Sequence, residues 1–325
     1  MNRSPLTSLR WWMAAGQWIV TLALVAFLTI PVIMSMLAGV TVNYFRGLSS
    51  GLTLRWVEQV WALYQHSIYA SLWVAFATLI ITLIAGVPAA YTLARTEHRV
   101  ARWIEELLVL PVALPGLASA LGLIAVYGGF GSFRRSFAFI IVGHVIFTLP
   151  FMVRSVSAVC ASIDLRTLEE GAASLGAGFV RRFWTIVVPN VRPGIVAGAV
   201  SVVTLSLGEF NLTWMLHTPD TTTLPVGLAD AYASMRIEVG SAYTLIFLLM
   251  AIPLLVAMQW FAPNRSKRTK VTKRTKVTKR TKVQANAEAN VQETTPTNRL
   301  VNTPQTNERH AHALQSNKLR TQPPK

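Results

Sequence analysis

LEEGAASLGAGFVRRFWTIVVPNVRP, residues 168–193, is the stretch on which the reading of this chain turns. It is too polar to cross a bilayer and too apolar for a plain loop. Read as a helix, Leu165, Leu168, Ala172 and Leu175 fall on one face. The chain can turn at Gly176 to Gly178, since glycine accepts positive φ. A second helical piece carries Phe179, Phe183 and Ile186 or Val187 on one side. Arg181 and Arg182 lie off that stripe, and Pro189 and Pro193 close the piece. Two short amphipathic helices about a glycine elbow cannot bury their apolar stripe alone. They need the rest of the chain, a partner, or both.

Working outward, the flanks are apolar runs. A bilayer core takes about 20 apolar residues. Six runs qualify, at about 17–38, 68–93, 104–127, 137–156, 194–216 and 240–261. The uncharged segment 13–40 is longer than a signal-peptide core and lacks a convincing small-x-small cleavage site, Met36-Leu37-Ala38 being a poor candidate. It reads as an uncleaved first span. The loop that follows holds Arg46, Arg55 and Glu58, with Trp56, Trp61 and Tyr64 suited to an interface. Pro111 and Pro115 remove two helical donors and should bend or break the first half of the third span. The expected fold is all-α and membrane-embedded: a six-span bundle with a cytoplasmic loop, about 158–193, between spans four and five.

An even number of spans puts both termini on one side. One set of segments holds Arg3, Arg10, Arg95, Arg99, Arg102, Arg154, Arg166, Arg181, Arg182 and Arg192 plus the basic tail. The other holds Arg46, Arg55, Arg134, Arg135 and Arg236. The richer set is cytoplasmic by the positive-inside rule, so the opening stretch and both termini are expected there.

Composition agrees. Hydrophobic residues make up 52% of the chain, and the formal charge of +16 comes mostly from its end, since no lysine precedes Lys267. The sequence KRTKVT occurs at 267–272 and 273–278, and KRTKVQ at 279–284. Segment 264–325 has almost no large apolar residues and cannot offset its chain entropy, so it is expected to be disordered. Without aromatic residues between the charges, nucleic acid is not an expected partner; anionic membrane lipid is a better one. The single cysteine, Cys160, excludes an intrachain disulfide or a thiolate metal site.

The order Glu170-Gly171-Ala172, three residues, Gly176, nine residues, Ile186-Val187-Val188-Pro189 resembles the EAA loop of binding-protein-dependent ABC transporter permeases. That pattern reads Glu-Ala-Ala, three residues, Gly, nine residues, Ile-x-Leu-Pro. Gly171 stands for the first Ala and Val188 for Leu. Its place between spans four and five, the trailing Arg192-Pro193-Gly194, the Leu-Pro pairs at 110–111 and 114–115, and His144 with Leu149-Pro150-Phe151 are similar too. The resemblance covers about residues 60–260.

The resemblance implies a permease subunit of an ATP-driven importer in a bacterial inner membrane. Residues 1–16 would be the cytoplasmic N-terminus and 17–263 the permease domain. Glu170, Gly171, Ala172, Gly176, Ile186 and Pro189, with Arg181 and Arg182 as weaker candidates, would couple to a cytoplasmic ABC ATPase dimer. ATP and magnesium would belong to that partner, and no cofactor or metal to this chain. A second permease, identical or homologous, and a periplasmic or lipid-anchored solute-binding protein complete the expected partners. The chain contains no GxxxxGK[ST] phosphate loop of its own.

The candidate solute path follows from polar residues inside spans. Glu209 is the most informative, because an intramembrane acid usually faces the bundle interior or a wet cavity. Asn211, Ser206 and His144 accompany it. Asp230 and Tyr232 lie in the outer loop, where a binding protein could dock. The acid favours a cationic solute such as a polyamine; ferric iron, thiamine and phosphonate are the alternatives. Two readings from other classes are an intramembrane enzyme using His144 and Glu209, and a membrane-tethered binding protein acting through its basic tail.

Overall fold

The computed structural model describes residues 5–96 and 98–260, with side chains from residue 13 onward. The KRTKVT tail lies outside the described residues. In chain order the helices are α1 (Pro5–Ala38), α2 (Arg55–Arg95), α3 (Arg99–Ala113), α4 (Gly116–Tyr127), α5 (Gly131–Arg134), α6 (Phe137–Cys160), α7 (Leu165–Ser174), α8 (Phe179–Arg182), α9 (Val188–Gly208), α10 (Asn211–Leu216), α11 (Leu224–Ala233) and α12 (Ile237–Trp260). Segments of 3₁₀ helix lie at Tyr44–Ser50, kinked at Gly47, and at Pro219–Thr221, and a π-helical turn at Phe183–Val187 joins α8 to α9. The described residues contain no strand, only an isolated bridge between Thr41 and Leu52.

Five helical stretches are long and apolar enough to cross a membrane, and α3 with α4 supplies a sixth as a pair bent by 104°. The bend sits where the sequence expects it. Leu114, held extended by the proline after it, has φ −85° and ψ 144°. Pro111, by contrast, stays inside α3 without breaking it. The second span begins earlier than expected: Trp56, Trp61 and Tyr64 lie in α2, not in a loop. Val60 and Ile68 form an apolar cluster with Leu224 of α11 and Ala242 and Tyr243 of α12, and Trp56, Val57 and Tyr64 pack against it, which draws this turn into the helix.

The core lies among α2, α6 and α9. Lipid chains are as apolar as leucine, so close packing rather than water exclusion must hold these helices together. Glycines permit it. A Cβ on Gly194 would stand 2.6 Å from the Ser155 carbonyl oxygen, and one on Gly198 would stand 2.6 Å from Met152 Sδ. Met152 is fully buried there, with Val153, Val156, Val191 and Val202 around it. α1 differs: the apolar part of its span has no buried residue, and near its end Ser35 Oγ lies 3.2 Å from the Tyr232 hydroxyl of α11, while a Cβ on Gly39, just past α1, would stand 2.7 Å from the Ala242 nitrogen of α12.

Candidate functional site

The hairpin of α7 and α8 is built by local signals. Asp164 caps α7, its carboxylate accepting from the Thr167 hydroxyl at 2.7 Å and the Thr167 N–H at 3.2 Å. Those two bonds, the hydroxyl first, hold the Asp164 carboxyl below its usual range. α7 stops in a Schellman pattern. Gly176 has φ +82°, its N–H donates to the Ala173 carbonyl, and the Ala177 N–H donates to the Ala172 carbonyl. Only Gly176 needs the left-handed region; Gly178 caps α8 with φ −67°.

Two expectations for this stretch are corrected. The buried face of α7 is Leu165 and Glu169, whereas Leu168 and Leu175 point outward, Leu175 at 88% exposure. The reason is polar: Tyr91 and Arg95 of α2 supply partners for Glu169. Nor do Pro189 and Pro193 close the second piece. The chain from Phe179 to Gly208 is one continuous helical stretch. Pro189 has no N–H to give, and the π turn before it absorbs the defect: the Val188 N–H reaches the Phe183 carbonyl, and Asn190 Nδ2 donates to the Ile186 carbonyl at 2.8 Å.

The hairpin's sequence-derived candidates divide accordingly. Glu170, Gly171, Gly176 and Arg181 are exposed, and Glu170 pairs with Arg166 at 2.9 Å one turn away. Ala172 and Ile186 are half-buried, and Pro189 is exposed at the start of α9. Arg182 turns inward, Nη1 donating to the Glu169 carbonyl at 3.4 Å. Leu175, Val180 and Trp184 give the hairpin an exposed apolar surface.

Sequence reasoning missed Glu169, which is 1% exposed. Its carboxylate accepts the Tyr91 hydroxyl at 2.5 Å and lies 3.3 Å from Arg95 Nη1. Arg95 Nη1 also donates to the Tyr91 hydroxyl oxygen. The available signals were the spacing of Leu165, Glu169 and Ala172 along one face and of Tyr91 and Arg95 along another. Only the tertiary contact joins them.

The path candidates do gather in space. His144 is buried, with Nδ1 2.8 Å from Ser206 Oγ and Nε2 2.7 Å from Thr213 Oγ1. Thr213 Oγ1 is also 3.2 Å from the Glu209 carbonyl oxygen. The fifth span breaks here: α9 ends at Gly208, Glu209 is extended, and α10 starts at Asn211. Glu209 Oε1 accepts the Leu212 N–H at 2.7 Å, and Asn211 is exposed. A Cβ on Gly116, the first residue of α4, would lie 3.2 Å from Asn211 Cβ and 3.6 Å from Glu209 Oε1. The breaks of spans three and five therefore meet. In the outer loop, Asp230 pairs with Arg236 at 3.7 Å, and the Tyr232 hydroxyl lies 3.2 Å from Ser241 Oγ.

Residues 84–271 match the family described as the binding-protein-dependent transport system inner membrane component. The chain belongs to this family. The permease is 27% identical over 248 residues to the 2-aminoethylphosphonate transport system permease protein PhnV of Salmonella paratyphi A, an alignment covering 76% of this chain and 92% of that one. It is 30% identical over 216 residues to the molybdenum transport system permease protein ModB of Azotobacter vinelandii, covering 62% and 94%. Its fold resembles that of a chain in a bacterial ABC transporter that imports the acidic polysaccharide alginate. The TM-score is 0.64 at 14% identity, over 78% of this chain and 96% of that one. The permease is thus the inner-membrane subunit of an ABC importer. It is a transport subunit and not an enzyme, and ATP is hydrolysed by a separate ATPase.

Proposed function

We propose that this permease docks a cytoplasmic ATPase dimer through the hairpin and passes a small phosphonate-type solute by the junction of its two broken spans. The observation that carries the docking reading is the exposed apolar surface of Leu175, Val180 and Trp184 beside Glu170 and Arg181. Leucine, valine and tryptophan exposed together on a loop mark an interaction surface. Glu170 and Gly176 are the positions we assign to contact and to elbow geometry; Gly171, Ala172, Ile186 and Pro189 shape the helices that present them, and Arg181 and Arg182 flank them. In this reading the even number of spans and the arginine distribution support a cytoplasmic location for both termini. A second permease encloses the other wall of the path, and a solute-binding protein delivers from outside.

Gly176→Asp tests the docking. Asp at φ +82° is strained, and the space around Gly176 is open, so the fault stays local. We expect the variant to insert and lose both ATPase co-purification and uptake. Normal uptake would end this reading.

The solute assignment rests on the relatives, whose names give 2-aminoethylphosphonate and molybdenum. The support for a polyamine was Glu209, and one oxygen of that carboxylate is engaged as the cap of α10. Asn211 and Gly116 sit beside it as path residues, with His144 and Ser206 bracing the helices behind. Uptake of radiolabelled 2-aminoethylphosphonate and of putrescine into vesicles holding the complete transporter separates the two. We expect the phosphonate to accumulate on ATP addition. Putrescine accumulating alone would restore Glu209 as a cation ligand.

A further inference from the structure

We infer that Tyr91, Arg95 and Glu169 are the joint through which hairpin movement enters the bundle, and that this joint delivers it to α2. The inference rests on the hairpin being the ATPase dock, and it names the element that the hairpin drives.

Both limbs of the hairpin converge on one side chain. From the first limb, Glu169 accepts the Tyr91 hydroxyl, and Arg95 one turn further along α2 completes the ion pair. From the second limb, Phe179 and Phe183 pack on the Tyr91 ring, with centroids 6.3 Å and 5.6 Å away. The Arg95 guanidinium lies 5.4 Å from the centroid of the same ring. Charged hydrogen bonds are directional and about twice as strong as neutral ones, whereas ring contacts tolerate sliding. The hydroxyl is therefore the fixed point and the rings are the bearing surface.

Burial makes the joint stiff. Glu169 is 1% exposed, and a buried carboxylate whose partner is removed bears its desolvation cost uncompensated. The hairpin cannot shift relative to α2 without breaking that pairing, so the two move together. α2 then carries the movement to α6 and α9, which pack against it through the glycine-lined core. Tyr91, Arg95 and Glu169 are positioning residues in this scheme: Tyr91 and Glu169 are buried, and Arg95, which shares a cleft with Glu170, is held by both of them.

The test uses the complete transporter in proteoliposomes, with three readouts: ATPase co-purification, ATP hydrolysis, and solute taken up per ATP. Tyr91→Phe removes the hydroxyl and keeps the ring. We expect co-purification and hydrolysis to persist while solute per ATP falls about tenfold or more, the size of a lost hydrogen bond to a charged group. Glu169→Gln removes the charge that the Tyr91 hydroxyl and Arg95 both meet and should change solute per ATP in the same direction, and the double variant should lose less than the sum of the two, because both act on the Tyr91–Glu169 contact. If Tyr91→Phe does not accumulate, Arg95→Gln serves, since Arg95 is partly exposed. Normal solute per ATP in these variants overturns the joint. Loss of the ATPase from them also overturns it, because the cluster would then only shape the dock. Failure of the docking reading looks different: Gly176→Asp would retain both the ATPase and uptake.

Discussion

The cluster at Tyr91, Arg95 and Glu169 contains a carboxylate and a guanidinium, whereas the cluster at His144, Ser206 and Thr213 contains neither. Each joins segments far apart in sequence. The first lies at the end of α2, where the Arg95 side chain is 42% exposed and its charge is partly hydrated. The second is buried within the bundle, between α6, α9 and α10. A formal charge in hydrocarbon is costly, so a brace inside the spans is better made of an imidazole and two hydroxyls. At the hairpin a charged joint is sustainable, and it gives more directional stiffness. The difference teaches a division of labour: a neutral brace keeps helices together, and a charged joint keeps a moving part aligned.

That contrast can be broken by experiment. His144→Leu removes both bonds of the brace. We expect a loss of about 2 kcal/mol in stability, with the residual Thr213 bond to Glu209 limiting the damage. A lower melting temperature of the detergent-solubilised protein would report it, while solute per ATP in the folded fraction stays at the wild-type value. A change in that ratio would erase the distinction between the clusters. Ser206→Ala removes one of the two bonds and should cost roughly half as much, about 1 kcal/mol, again with no effect on coupling. Comparing these two with Tyr91→Phe sharpens the contrast: stability should respond to the two brace variants and coupling to Tyr91→Phe.

The smallest effect is expected at the start of the hairpin. The Asp164 carboxyl is held below its usual range by Thr167, so its folded value is the lower one. The capping contribution is present above the unfolded carboxylate value and is lost as pH falls through the folded one. Amide-exchange protection across residues 165–174, relative to the intrinsic rate at each pH, should hold at neutral pH and fall only in acid. Asp164→Asn, which still caps but does not titrate, should flatten that pH dependence. An identical acid profile in the variant would show that the Asp164 cap does not set this protection.

Much of the fold was legible. Hydropathic runs gave the spans, and Leu114-Pro115 gave the break in the third, because a proline and the residue before it restrict the backbone locally. The elbow at Gly176 was legible for the same reason. Less legible was which face of α7 turns inward. Leu168 and Leu175 look like an inward stripe by helical spacing, yet Glu169 is the residue taken in. Periodicity ranks faces by apolarity, and it cannot know that a tyrosine and an arginine wait on another helix. The continuity of α8 into α9 was hidden similarly, since the prolines argue for a stop and the π turn removes the need for one.

By itself the sequence determined that the chain is a membrane-embedded helical bundle with an amphipathic hairpin between spans four and five. Those properties depend on local chemistry: apolar length, glycine, proline and the spacing of charges. Tertiary structure alone decided that Glu169 is buried, that Tyr91 receives both limbs of the hairpin, and that Glu209 and Gly116 bring two broken spans together. Each of these joins residues tens of positions apart. A buried acid or a broken helix is stable only when its partner arrives, and the partner's arrival is a property of packing rather than of any one segment.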